Sequence, residues 1–225
     1  MTHKDWTMNR SNCFKLLAVC FYEPDKELFL KERLCENLAA LFADFNFADS
    51  EAAAKKMRVA LKEKSHEEMI VDYARLFIGP FEMIASPYGS VYLEDSKRLM
   101  GDSTLYVQKM YQEAGLSLEA HEAPDHIALE LEFMHFLCFA EAEAAASANN
   151  EQVHSLAGKQ TKFFRKFLAS WVPEFCIAIR NGTNNDFYAA LADCLESFVK
   201  NVASFYELTD MIHPKEEGCA CQAAL

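Results

Sequence analysis

The sequence predicts an all-α fold, a single helical-bundle domain, on three observations. Apolar residues recur at helical spacing through nearly the whole chain. Alternation of apolar and polar residues is nowhere long enough for a paired strand, Ser90–Leu93 being the one short candidate. Seven Gly against eighteen Phe and eight Tyr in 225 residues leave few tight turns and a large aromatic core.

Taken in order, Cys13, Leu16, Leu17, Cys20 and Phe21 form the stripe of a first helix, which Glu23-Pro24 ends. A second helix is expected from about Asp25 to Phe42, with Leu28, Leu34, Leu38, Leu41 and Phe42 inward. Asp49 and Ser50 can cap a third, more polar helix running to about Lys62. Ser65 with Glu68 three residues on has the order of a capping box. It opens a helix bearing Met69, Ile70, Tyr73, Leu76 and Phe77, which Gly79-Pro80 stops. From Gly79 to Leu99 the helical period lapses, and Pro80, Pro87 and Gly89 punctuate the stretch. So long a loop in a compact helical domain is often functional.

Gly101-Asp102 opens the next helix, with Leu105, Tyr106, Met110 and Tyr111 inward and Gly115 at its close. After a second loop, Pro124 suits a first helical turn, and the helix that follows runs to about Ala146. Further helices cover about Glu151–Ser170, Pro173–Arg180 and Asp186–Leu208. Within one domain, 1–225, a division into an N-terminal bundle (1–115), a C-terminal bundle (124–210) and a flexible tail (211–225) is expected.

A net charge of -12 argues against nucleic acid, whose phosphates call for Lys and Arg. No run approaches the ~18–20 uncharged apolar residues of a membrane span. The N-terminal apolar run is short, follows Asp5 and closes at Pro24, unlike a signal peptide, so a cytoplasmic protein is expected. Cys13, Cys20, Cys35, Cys138, Cys176 and Cys194 sit in helical patterns as small hydrophobes do. Cys219 and Cys221 lie in a polar tail. With His213 they could hold a soft metal ion, but two thiolates do not complete a zinc site.

On a wheel of about 100° per residue, Ile127, Leu131, Met134 and Cys138 share one side of the helix after Pro124. Leu129, Phe133, Phe136 and Leu137 widen that side, leaving Ala128, Glu132, His135, Phe139 and Glu143 for water. His126 and Glu130 are i,i+4 neighbours outside the wet sector. A buried His–carboxylate pair needs hydrogen bonds, a cap or a ligand. Either Asp125 caps the helix and His126 is a satisfied structural histidine, or this helix start is a polar patch facing the Pro-rich loop.

Three ordered stretches carry a resemblance: YARLFIGP (Tyr73–Pro80), SPYGSVYLED (Ser86–Asp95) and EAPDHIALELEFM (Glu122–Met134), with YQEAGL (Tyr111–Leu116) between the last two. Together they resemble the TorD/DmsD family, cytoplasmic chaperones for the maturation of molybdenum-cofactor oxidoreductases. The resemblance covers roughly Ser65 to Ala140. It implies an all-helical chaperone, not an enzyme, that binds the twin-arginine signal peptide of its client, the apo catalytic subunit, or both, and delays export until the cofactor is inserted. It also implies that Pro87, Tyr88, Ser90 and Pro124-Asp125-His126 form a recognition groove floored by Tyr73, Leu76 and Phe77. Monomers and homodimers both fit the family. The residues agree: Glu122, Asp125 and Glu130 offer carboxylates for guanidinium groups, beside Tyr88, Tyr92 and Phe133 for an apolar run. No cofactor is expected, and there is no Walker-type phosphate loop.

Two alternatives stand beside this. One is a chaperone for a molybdoenzyme subunit that is not exported. The other is a ferritin-like di-metal carboxylate protein, suggested by the Glu-x-x-His pairs Glu132/His135 and Glu151/His154. Against the metal reading, Glu132 and His135 fall in the wet sector, and Glu151 sits in a first turn, where the helix dipole favours an acid anyway.

Overall fold

The computed structural model describes residues 2–79, 83–94, 99–118 and 122–212, without the side chains of residues 3 and 207–212. Pro80, Asp95, His213 and the Cys219/Cys221 pair lie outside the described residues. Helix α1, His3–Val19, opens with a capping box: Thr2 Oγ1 accepts the Asp5 N–H at 3.2 Å and Asp5 Oδ2 accepts the Thr2 N–H at 3.1 Å.

The helix expected from Asp25 to Phe42 is two, α2 (Lys26–Lys31) and α3 (Leu34–Asp44). Phe29 and Leu34 are both buried, yet five residues apart they stand about 140° apart on one helix. The left-handed Arg33, φ 51°, resets the phase so that both turn inward. Leu28, expected inward, is 43% exposed as a result.

Helix α4, Ala48–Glu63, has no side-chain cap; Ser50 is instead buried, 2.9 Å from Ser197 Oγ. The capping box of Ser65 and Glu68 is present, at 2.7 and 3.1 Å, and starts α5, His66–Tyr73. α5 widens into a π-helical turn, Ala74–Ile78, which ends where Gly79 adopts φ 62°. The candidate strand Ser90–Leu93 is a single helical turn, α6. In α7, Asp102–Glu113, the inward face is Thr104, Val107, Met110 and Tyr111, so Leu105 is 60% exposed, contrary to expectation.

Pro124 precedes α8 (Ile127–Ala146) and is not in its first turn. After α9 (Asn150–Lys166) the chain breaks at Phe167, earlier than expected, and α10 (Leu168–Gly182) carries Pro173 inside it. Helix α11 spans Asp186–Ile212.

α8 runs through the middle, with α1 along one side and α9 along another, while α11 packs on α4 and α10. This corrects the wet sector. Ala128 is fully buried, and His135 is half-buried against α1, its Nδ1 2.7 Å from Ser11 Oγ. Glu132, Phe139 and Glu143 do face water.

Where α1, α8, α9 and α11 meet, a buried ion pair closes the core. Arg10 Nη2 donates to Glu141 Oε2 at 3.1 Å and to Gln160 Oε1 at 2.7 Å. Gln160 Nε2 donates to Glu141 at 2.7 Å, and the Arg10 guanidinium lies over the rings of Trp6, Phe205 and Tyr206.

Candidate functional site

The Pro87–Ser90 loop and the start of α8 meet directly. Gly89 N–H donates to the Asp125 carbonyl at 2.9 Å, and Ile127 N–H donates to the Pro87 carbonyl at 2.8 Å. Asp125 Oδ2 accepts the Ser90 N–H at 2.7 Å, so this carboxylate caps α6, the opposite strap, rather than its own helix. His126 is the residue that caps α8, its Nδ1 accepting the Ala128 N–H at 3.2 Å.

Beneath the strap, the fully buried Glu130 accepts the Trp171 indole N–H on Oε2 at 3.0 Å. Burial pushes its carboxyl well above the usual carboxylate range; the indole bond pulls it down and the Asp125 charge pushes it further up. Glu130 Oε1, Asp125 Oδ1, Ser86 Oγ and Ser90 Oγ are buried without a hydrogen-bond partner among the described residues. Gly89 is required here by space: a Cβ would lie 2.9 Å from Trp171 Nε1 and 3.4 Å from Glu130 Oε1.

An aromatic and acidic rim borders this knot. The Tyr88 ring stands edge-on to His126 at 5.2 Å, and Tyr22 stacks over His126 at 6.3 Å. Tyr88 Oη donates to the exposed Glu122 at 2.5 Å, and burial, with the charge of the nearby exposed Glu132 behind it, pushes the Tyr22 hydroxyl pKa up. Burial, with the charges of Glu122 and Glu23 behind it, pushes the nearby Tyr73 hydroxyl up to about 12. Burial lowers the His126 pKa, against the pull of Glu122 and Asp125, so the ring is neutral at neutral pH. Next to the rim, the end of α7, Leu116–Leu118 and α8 enclose an open hollow of about 160 Å³. Leu129, Phe133, Phe136 and Tyr111 line it, with Glu132 on its wall.

Residues 46–177, more than half of the chain, match the family model described as nitrate reductase delta subunit. The chaperone protein TorD of Shewanella pealeana is 26% identical, over 88% of this chain and 90% of its own. A DmsD of Haemophilus influenzae, named as a Tat proofreading chaperone, is 30% identical, over 78% of this chain and 80% of its own. The chain belongs to the TorD/DmsD family. It is a family of chaperones, not of enzymes. A crystal structure described as that of a redox enzyme maturation protein from Archaeoglobus fulgidus superposes with a TM-score of 0.53 at 23% identity. That overlap covers 84% of this chain and 93% of the other, and bears out the all-helical fold.

Within this TorD/DmsD chain, Pro87, Ser90, Asp125, His126 and Glu130 come together as the sequence suggests, but as a closed, buried junction. Tyr73, Tyr88, Tyr92, Pro124 and Glu122 keep exposed surface, and Tyr92 stacks on Trp171 at 5.4 Å. Leu76 and Phe77 are buried in the π-helical turn, where Phe77 packs on Phe21, Phe175 and Tyr188 and backs the rim from the core. Phe133 is nearly buried but lines the hollow. Among the described residues, no group of three or more His, Cys, Asp or Glu is placed to hold a metal ion.

Sequence reasoning missed Tyr22, Glu132 and Trp171. Trp171 carried a usable signal, because a buried indole N–H and a buried carboxyl each need a partner. Tyr22 carried none: nothing local ties the end of α1 to a helix a hundred residues on.

Proposed function

We propose that this TorD/DmsD chaperone binds the twin-arginine signal peptide of a molybdenum-cofactor oxidoreductase, holding the apo catalytic subunit in the cytoplasm until its cofactor is inserted. In this reading the peptide's arginines are received on the rim formed by Tyr22, Tyr88, Glu122, His126 and Glu132. The observation that carries it is a pair of exposed carboxylates, Glu122 and Glu132, beside the Tyr88, His126 and Tyr22 rings: Tyr88 donates to Glu122, and the charge of Glu132 acts on the Tyr22 hydroxyl. A guanidinium presents parallel N–H groups that match a carboxylate, and charge assistance makes such bonds about twice as strong as neutral ones. His126, buried between Tyr22 and Tyr88 and neutral, packs the two rings without adding a charge that would repel the cation. The net charge of -12 raises the local concentration of a cationic peptide.

Asp125, Glu130 and Ser90 position the strap that carries Tyr88, and Tyr73, Leu76 and Phe77 support it from beneath. The packing of α1 on α8 and of α4 on α11 supports treating the chain as one chaperone domain. Among the described residues no helix is long and apolar enough to cross a membrane.

Titration of a labelled twin-arginine peptide and of its Lys-Lys version tests the reading. The arginine peptide is expected to bind about ten-fold or more tightly, the factor that ~1.4 kcal/mol supplies. Equal binding of the two, or none, rejects signal-peptide recognition.

A further inference from the structure

We propose that the hollow between α7 and α8 is an anchor site for a single large apolar side chain of the same client peptide. The inference rests on the rim as the place where the peptide's arginines bind. At about 160 Å³ the hollow is close to the engineered apolar cavities of ~150 Å³ that take up one benzene. It has room for one Leu, Met or Phe side chain and no more. Leu129, Phe133 and Phe136 share one face of α8, and the Tyr111 and Phe136 rings flank Phe133 at 4.6 and 6.5 Å. The Tyr111 hydroxyl is already used, donating to the Pro124 carbonyl at 2.9 Å. The walls therefore offer an occupant area to bury rather than hydrogen bonds, at roughly 25 cal/mol per Å².

The occupant is identified by charge. Among the described residues Glu132 is the one charged residue of the lining, and its charge also acts on Tyr22 of the rim. A segment seated here meets an apolar hollow and an exposed carboxylate on one helix face, which suits an apolar side chain close in sequence to an arginine. With the carboxylate on the hollow's own wall, the two belong to one short segment, within about three residues at ~3.3 Å each.

The test uses synthetic peptides carrying Arg-Arg and one Leu three residues on, with Ala elsewhere. Binding to the full chain is read by fluorescence anisotropy. Replacing that Leu by Ala is expected to weaken binding by about ten-fold, the lower end of what a filled apolar pocket discriminates. Ser117 is exposed at the mouth, so Ser117→Trp closes the hollow without entering the core. It is expected to abolish the Leu/Ala difference while leaving the Arg/Lys difference intact. Phe136→Ala, from a half-buried position, enlarges the hollow and is expected to shift preference from Leu towards Trp.

A wild-type chain indifferent to Leu or Ala, or a Ser117→Trp variant that keeps the difference, overturns the anchor. Arg/Lys indifference with the Leu effect intact instead overturns the rim and spares the anchor. Sedimentation supplies the last arm: a dimer that Ser117→Trp converts to monomer makes a second copy the occupant and overturns the assignment to a client.

Discussion

Two buried polar clusters of this chain are built to different rules. Around Arg10, the guanidinium bonds Glu141 and Gln160 through Nη2 and lies over three aromatic rings, while its Nε and Nη1 have no hydrogen-bond partner among the described residues. Around Glu130, two carboxyls and two serine hydroxyls each leave an oxygen without a hydrogen-bond partner among the described residues, none of which sets a cation against either carboxyl. The first lies among four long helices. The second fastens a short strap to a helix start, directly under the proposed binding rim. Both clusters leave polar atoms unpaired, but the first sets a cation against a carboxylate, whereas the second gathers carboxyls alone. That difference separates a cluster whose task is the fold from one that keeps a loop in place for a partner.

The largest effect is expected at the first cluster. Arg10→Ala takes the guanidinium from Glu141 and empties the space under Trp6, and breaking such a buried pair costs about 3–5 kcal/mol. Urea melts should show the loss, and variant still folded should keep its Arg/Lys preference for peptides. A selective loss of that preference would merge the two clusters into one functional unit.

Glu130 should respond differently to its two substitutions. Glu130→Ala removes the acceptor of Trp171 and leaves a cavity, at a cost of about 2–4 kcal/mol. Glu130→Gln keeps the acceptor and removes the titration. The sign follows from the raised pKa of the folded state. The unfolded carboxyl titrates near 4.5, so the folded chain holds its proton more tightly than the unfolded chain above that pH. The group's contribution is complete below about 4.5 and is lost as pH rises towards the folded value. His126 has the opposite sign: its folded pKa lies below 6.5, and its contribution is lost as pH falls through that value. Comparing wild type with Glu130→Gln cancels the histidine. The Tm advantage of the Gln variant should therefore widen from pH 5 to pH 8. A constant gap would show that Glu130 is not protonated in the folded chain.

Gly89→Ala comes next, at about 1–3 kcal/mol, because its Cβ would press on the indole nitrogen of Trp171. The backbone there, at φ -59°, is ordinary, so the cost is steric rather than torsional. Thermal melts with near-ultraviolet dichroism of Trp171 would separate a displaced indole from general loss of helix.

The sequence was informative wherever one helix decides its own fate. Ser65 with Glu68, the stop at Gly79 and the apolar breadth of α8 were all legible, because capping and periodicity are local. It was uninformative where a distant element decides. Arg33 breaks a helix because Phe29 and Leu34 must both face the same core, and His135 leaves water because α1 lies across it. The candidate site divides along the same line. His126 and Glu130 stood out by spacing within one helix. That Asp125 caps Ser90, 35 residues back, and that Tyr22 stacks on His126, are contacts between elements with no local signature.

The smallest stability effect should accompany the largest change in recognition. Glu122→Gln and Tyr88→Phe alter an exposed pair, and each should shift stability by no more than about 0.5–1 kcal/mol. If Tyr88 aims the Glu122 carboxylate at a guanidinium, either change lowers the affinity for an Arg-Arg peptide towards that for Lys-Lys. The double variant should then be little worse than either single one, since the two groups act as a unit. If the tyrosine hydroxyl instead competes with arginine for the carboxylate, Tyr88→Phe tightens binding while Glu122→Gln weakens it. Peptide titrations across the four combinations distinguish a positioned carboxylate from a masked one, a choice that the 2.5 Å bond by itself leaves to the client.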